Sequence, residues 1–209
     1  MPRPARATSD AAAPAPRALR ARGQLTRRKL LDAGGQAFAA KGYHATRVDD
    51  VVKLARTSHG TFYLYFANKE ELFRALAEEV ATAMADLATS LGPLEPSARG
   101  RAALRSWIAD VCALYDDYGP VIRAWTEAEI GGNEVGRLGT DVLTQFTRVV
   151  YRRVEEVAPP DLDAGIAALA LVAMLERLNY YVLSGQVDVA VDAMVDTLAR
   201  VIHGSLFGA

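Results

Sequence analysis

The sequence predicts an all-α fold of about nine helices in two parts, and three observations predict it. Apolar residues recur at helical spacing along nearly the whole chain beyond residue 21, and the strict alternation of a half-buried strand is absent. Gly and Pro punctuate the pattern at Gly92-Pro93, Gly119-Pro120, Gly131-Gly132, Pro159-Pro160 and Gly185. With 51% of its 209 residues hydrophobic, the chain can bury one sizeable core or two small ones.

Residues 1–21 are rich in Pro, Ala and Arg with almost no large apolar side chains, so burial cannot offset their ordering entropy. They read as a disordered basic arm. An organelle-targeting peptide has a similar composition, but the pattern that follows argues against one. From Gln24 onward, Leu30, Leu31, Ala33, Ala37, Phe38 and Ala40 mark a first helix ending at Lys41-Gly42. Thr46 followed by Asp49 resembles a capping box opening a short second helix through Val51, Val52, Leu54 and Ala55. Ser58 caps a third, from His59 to Tyr65, and only Arg56 and Thr57 separate it from the second, a spacing that makes a helix-turn-helix. Asn68 with Glu71 opens a long fourth helix through Leu72, Leu76, Val80, Met84 and Leu87. Five more follow at about 97–117, 119–130, 134–157, 161–184 and 188–206. The expected division is an arm over 1–21, a helix-turn-helix domain over 22–70 and a second helical domain over 71–209.

Net charge is −1, but its distribution is lopsided. Residues 1–60 hold twelve Arg/Lys against four Asp/Glu, and the remaining 149 hold twelve against twenty-one. A basic head on an acidic body suits a segment that meets a polyanion, although a solvated basic tail has the same composition. The first thirty residues lack the apolar middle of a secretory signal, and no charge-free apolar run reaches membrane-spanning length, so no membrane partner is expected and the cytoplasm is the expected compartment. The single Cys112 lies in the apolar stretch Ile108–Leu114 and reads as a small core residue; three scattered histidines offer no metal-ligand spacing. No cofactor motif, phosphate loop or nucleophile-base arrangement is present, and an enzyme built on His203, Cys112 or Asp116-Asp117 has no supporting context.

The third helix and its exit read Ser58-His59-Gly60-Thr61-Phe62-Tyr63-Leu64-Tyr65-Phe66-Ala67-Asn68-Lys69-Glu70. This Thr-Phe-Tyr-x-Tyr-Phe-x-x-Lys-Glu pattern, behind a short helix and a turn, resembles the TetR family of transcriptional regulators over about Leu25 to Leu76. The residues make physical sense independently: a recognition helix places short side chains such as His59, Gly60 and Thr61 against base edges. Phe62 and Phe66 can fill a three-helix core, while one short helix cannot bury four aromatics, leaving Tyr63 and Tyr65 for phosphates. Lys69 adds a cation at a helix N-terminus. The resemblance implies double-stranded DNA contact by Thr61, Tyr63, Tyr65 and Lys69, and less firmly by Arg47, His59, Gly60 and Leu64. One departure stands out: where the family's turn usually reads Ala-Gly-Val, this one reads Ala55-Arg56-Thr57, placing Arg where a Gly would supply a positive φ.

Beyond the head the resemblance is architectural. It implies a homodimer through the last two helices, a palindromic operator, and a pocket for a small hydrophobic ligand whose binding releases a repressor from DNA. Aromatic residues distributed through the acidic body, Trp107, Tyr115, Trp125, Phe146 and Tyr180, are the candidate lining, with Glu176 and Asn179 inside an otherwise apolar run. Glu176 could equally form a structural ion pair with Arg177 or Arg123. Glu176-Arg177 and the final helix are similar to members of the family that bind long lipophilic ligands. A DNA-binding architectural protein without ligand response is the alternative.

Overall fold

The computed structural model describes residues 16–130 and 134–208, without the side chains of 16–20, 124–130, 134–136 and 138. Among the described residues there are eight α-helices and no strand: α1 (Pro16–Ala45), α2 (Val48–Leu54), α3 (His59–Tyr63), α4 (Lys69–Ser90), α5 (Ala98–Ile130), α6 (Glu134–Glu155), α7 (Ala164–Leu183) and α8 (Val191–Phe207). Two of the expected caps form as read. Ser58 accepts from the Thr61 amide at 3.1 Å, and Asn68 from the Glu71 amide at 2.8 Å.

Three expectations need correction. The break expected at Gly119-Pro120 is not there: α5 runs continuously through it, so two expected helices are one and the count is eight. Proline removes one helical hydrogen bond, but buried Leu114 and Val121 on either side hold both halves in register against the core. Residues 16–21, assigned to the arm, are already helical, because extending an existing helix avoids the cost of nucleation; residues 1–15 lie outside the described residues. Thr46 does not cap α2. Its hydroxyl turns back to donate to the carbonyls of Ala37 and Gly42, at 3.1 and 2.7 Å, and Arg47 takes the N-cap position with its amide donating to Asp50. Gly42, with φ 75°, is the kink between the body of α1 and its last residues, as its place after Lys41 predicted.

One connected core runs from Leu30 and Leu31 of α1 to Leu206 of α8. In the head, fully buried Phe62 and Phe73 share one core with Leu30, Phe38 and Val51, and each large apolar side chain so buried contributes about 1.5–3 kcal/mol. Helix α4 belongs to both parts of the molecule: Phe73 packs edge-on to Phe38 and Tyr43, while Met84 lies beside Val111 and Leu114 of α5. Arg28 of α1 pairs with Asp32 and with Glu79 of α4 at 2.8 and 3.0 Å. Arg105 of α5 pairs with Asp196 of α8 at 2.5 Å. By length and composition alone α7 could cross a membrane. Here one of its faces, Ala168, Leu171, Val172 and Leu175, fills the core, and Glu176 and Arg177 interrupt it.

Candidate nucleic-acid interface and ligand cavity

The helix-turn-helix is closed by a turn whose geometry the sequence flagged. Arg56 has φ 50°, the one positive value at a non-glycine among the described residues, and the Thr57 amide donates to Val52 at 3.0 Å. The expected DNA-facing side chains divide by environment. Tyr63 and Leu64 stand out from α3 at 56% and 81% exposure, while Phe62 and Phe66 are buried, as the sequence suggested. His59 and Gly60 are exposed at the N-terminal end, and His59 Nε2 meets the Asp49 carboxylate at 2.5 Å, bridging α3 to α2. Thr61 is half-buried, its hydroxyl 3.0 Å from that of Ser58. Arg47 is exposed at the start of α2.

Two positions differ from expectation. Tyr65 is half-buried, because α3 ends at Tyr63 and the following turn lays the ring against α1, where its hydroxyl faces Gly23. Lys69 is engaged within the protein. Its ammonium donates to the carbonyls of Tyr43 and, at longer range, His44, at 3.0 and 3.4 Å, and lies 4.6 Å from the centre of the Tyr43 ring, tying α4 to the end of α1.

In the body, a cavity of 370 Å³ opens between α5 and α7, within the size range of small-molecule sites. Of the expected ligand residues it brings together Tyr115, Glu176, Asn179 and Tyr180. Trp107 and Phe146 are elsewhere. They stack on each other at 5.8 Å, both buried, and the Trp107 indole donates to the Leu87 carbonyl at 2.9 Å, so their role is packing. Trp125 falls on α5, but its side chain lies outside the described residues. Lining residues that the sequence did not single out as ligand contacts include Gly119, Pro120, Ile122 and Leu183. Gly119-Pro120 was the available signal, but it reads as a break until the helix is seen to continue.

The proposed ion pair does not form: among the described residues Glu176 has no cationic partner, and Arg177 lies over the rings of Tyr180 and Tyr181 at 5.7 and 5.8 Å. Burial, with the Glu176 charge adding to it, pushes the Tyr115 phenol far above its ordinary range, so it is a neutral donor throughout the physiological range. Asn179 is fully buried, and its amide nitrogen donates to the Leu175 carbonyl at 2.8 Å while its Oδ1 has no partner among the described residues. Burial likewise raises the Cys112 thiol, with the Asn179 side chain acting in the opposite sense, which suits the core role read from sequence.

A basic helix-turn-helix head carrying an exposed Tyr-Leu pair is joined to a helical body with a cavity between α5 and α7. Residues 30–76 match the family model of bacterial regulatory proteins of the tetR type. The transcriptional regulator EthR of Mycobacterium tuberculosis is 29% identical over 170 residues, which span 77% of each chain. AcuR of Cereibacter sphaeroides is 40% identical over 80 residues, 37% of this chain and 36% of that protein. Against the first five curated relatives the chain spans only about a quarter to two fifths of their length. A tetR-family regulatory protein from Rhodococcus RHA1 superposes with a TM-score of 0.69 at 19% identity, covering 88% of this chain and 98% of that one. Residues 30–76 are thus similar to the DNA-binding domain of tetR-type regulators, and the chain as a whole shares the fold of solved structures of that type.

Proposed function

We propose that this protein is a homodimeric transcriptional repressor that binds a palindromic operator and is released by a small, largely apolar ligand held between α5 and α7. The observation that carries the reading is the exposed Tyr63-Leu64 pair on a capped recognition helix, in a chain whose first sixty residues have net charge +8. A large apolar and an aromatic side chain held out in water on a rigid helix suit a partner surface, and here the surrounding charge suits phosphate. His59, Gly60 and Thr61 would meet base edges, and Arg47 and Tyr63 the backbone. Tyr65 and Lys69 would contribute by fixing the head's geometry, with the remaining Lys69 N–H available to phosphate. The names of relatives, including EthR and a fatty acid metabolism regulator of Bacillus subtilis, support a regulator in place of an enzyme, and such a protein would act in the cytoplasm beside its operator.

Dimerisation is assigned to α7 and α8. Ile166 and Leu169 of α7, exposed at 70% and 61%, and Val201 of α8 form an apolar face that the chain leaves uncovered. A two-fold pairing through that face would set the two recognition helices for half-sites about one helical turn, roughly 34–36 Å, apart. For the switch, α5 is the coupling element. It lines the cavity with Tyr115, Gly119 and Pro120, and Tyr118 beside them lies within electrostatic reach of Arg28 on α1. A ligand that wedges α5 away from α7 biases the head's orientation through that contact, provided it binds the two states unequally.

Fluorescence anisotropy with the duplex upstream of the protein's own gene, in excess unrelated DNA, tests the reading. Nanomolar binding that resists competitor is expected. Binding that competitor erases, at that duplex and across a genome-wide selection of sites, would replace the regulator with a nonspecific DNA-binding protein.

A further inference from the structure

The α5–α7 cavity carries two acceptors without a donor beside the Tyr115 phenol, which is itself a donor. Asn179, with no exposed surface, turns its amide N–H back to the Leu175 carbonyl, leaving Oδ1 without a partner among the described residues, in a residue that belongs to the cavity lining. The opposite flip would set two carbonyl oxygens against each other, so the orientation is determined by the helix itself. One turn earlier on the same face, the half-buried Glu176 carboxylate lines the cavity without a cationic partner among the described residues. Across from them, Pro120 has no N–H to offer the Asp116 carbonyl four residues before it, and both residues line the same space. The cations of the lining, Arg123 and Arg177, are both exposed to solvent, and Arg177 is stacked on two tyrosines.

We infer that the ligand of this cavity is an amphiphile with a hydrogen-bond-donating, cationic head, of the amine class, and an apolar body. The head meets Asn179 Oδ1 and the Glu176 carboxylate, and the body lies against Tyr180, Leu183 and Ile122. A buried acceptor without a donor carries a standing desolvation cost, and a donor that fills it recovers that cost on binding. A carboxylate head would instead face like charge at Glu176 and a second acceptor at Asn179. This inference rests on the cavity being the ligand site, and it selects among the chemistries that the regulator reading leaves open.

The test is calorimetric titration of the full-length protein at neutral pH with three probes of one shape: 4-phenylbutylamine, 4-phenylbutanol and 4-phenylbutyrate. The amine is expected to bind at least tenfold more tightly than the alcohol, and the carboxylate more weakly than either. Glu176→Gln, on a half-exposed residue whose change spares the fold, is expected to erase the amine's advantage and leave the alcohol's affinity within twofold. Asn179→Leu is expected to weaken amine and alcohol alike. A carboxylate that binds as well as the amine, an amine affinity unchanged in Glu176→Gln, or no heat from any probe at millimolar concentration would each overturn the inference. Repeating the operator titration with the amine present separates the two readings. Amine binding that leaves DNA affinity unchanged would sink the ligand-release mechanism and leave the cavity chemistry standing.

Discussion

Arg56 shows how much one residue's environment decides. Its φ of 50° is inexpensive for glycine and strained for arginine, and the tightness of the turn between α2 and α3 requires it. Arg56→Gly is therefore expected to raise stability by about 0.5–1 kcal/mol, seen as a higher urea midpoint at unchanged slope, whereas Arg56→Ala should give no such gain. Thr46 is the opposite case, a buried hydroxyl whose two backbone acceptors lie in α1. Thr46→Val keeps its volume but strands those carbonyls, and a loss of about 1–3 kcal/mol is expected by the same urea titration. Tyr63→Ala removes a side chain that packs against little, so melting temperature should hold while operator affinity falls at least tenfold. Arg47→Ala should lower affinity less and flatten the salt dependence by about one unit of slope per half-site, as expected for one lost phosphate contact. Tyr63→Ala should leave that slope alone. The Asp50 carboxyl is held below its ordinary 3.8, chiefly by the Lys41 hydrogen bond and then by the Arg47 amide. Its support of the start of α2 is complete above that ordinary value and fades as pH falls through the lowered one.

At the scale of the element, α5 is the helix on which the proposed switch turns. Pro120 inside it costs helical stability and loosens the backbone beside the cavity. Pro120→Ala is expected to raise stability by about 1–3 kcal/mol, less than or equal to the cost of proline in a helix interior. A straighter, stiffer α5 should also respond less to ligand, which a smaller ligand-induced drop in operator affinity would report. Unchanged stability and unchanged response together would mean that the proline is merely tolerated. The short α2 and α3 depend on their caps and on Phe62, because helices of seven and five residues cannot sustain themselves.

For the whole molecule, the proposed dimer makes the separation of two heads the decisive quantity, since that separation would exist only in an assembly. Placing charge in the uncovered α7 face should prevent it. Leu169→Glu, at a position already in water in the single chain, is expected to leave the fold intact, give a monomer in sedimentation, and lower operator affinity by at least a hundredfold through loss of the second half-site. A dimer that persists would move the interface elsewhere. The lopsided charge suits the same proposal: a basic head would be drawn to a duplex while an acidic body would be repelled from it, so binding would be oriented as well as strengthened.

The head was legible in the sequence because its signals are local. Ser58 and Asn68 cap helices through amides three residues away, Phe62 and Phe66 declare a core face by their spacing, and a two-residue gap admits only a tight turn. Such features follow from residue type and separation alone; the positive φ at Arg56 does not, since only the resemblance to a family with Gly there pointed to it. What needed the tertiary structure was every decision made by a distant partner. Pro120 stays helical because the core holds both halves of α5, and Tyr65 folds onto α1, a helix some forty residues back. Lys69 spends its ammonium on the carbonyls of Tyr43 and His44. Trp107 and Phe146 pack against each other, whereas Tyr115 and Asn179, no different in local pattern, line the cavity. Periodicity assigns a side chain to the inner face of a helix, but only the packing of α5 against α7 determines whether that face meets another side chain or an open space.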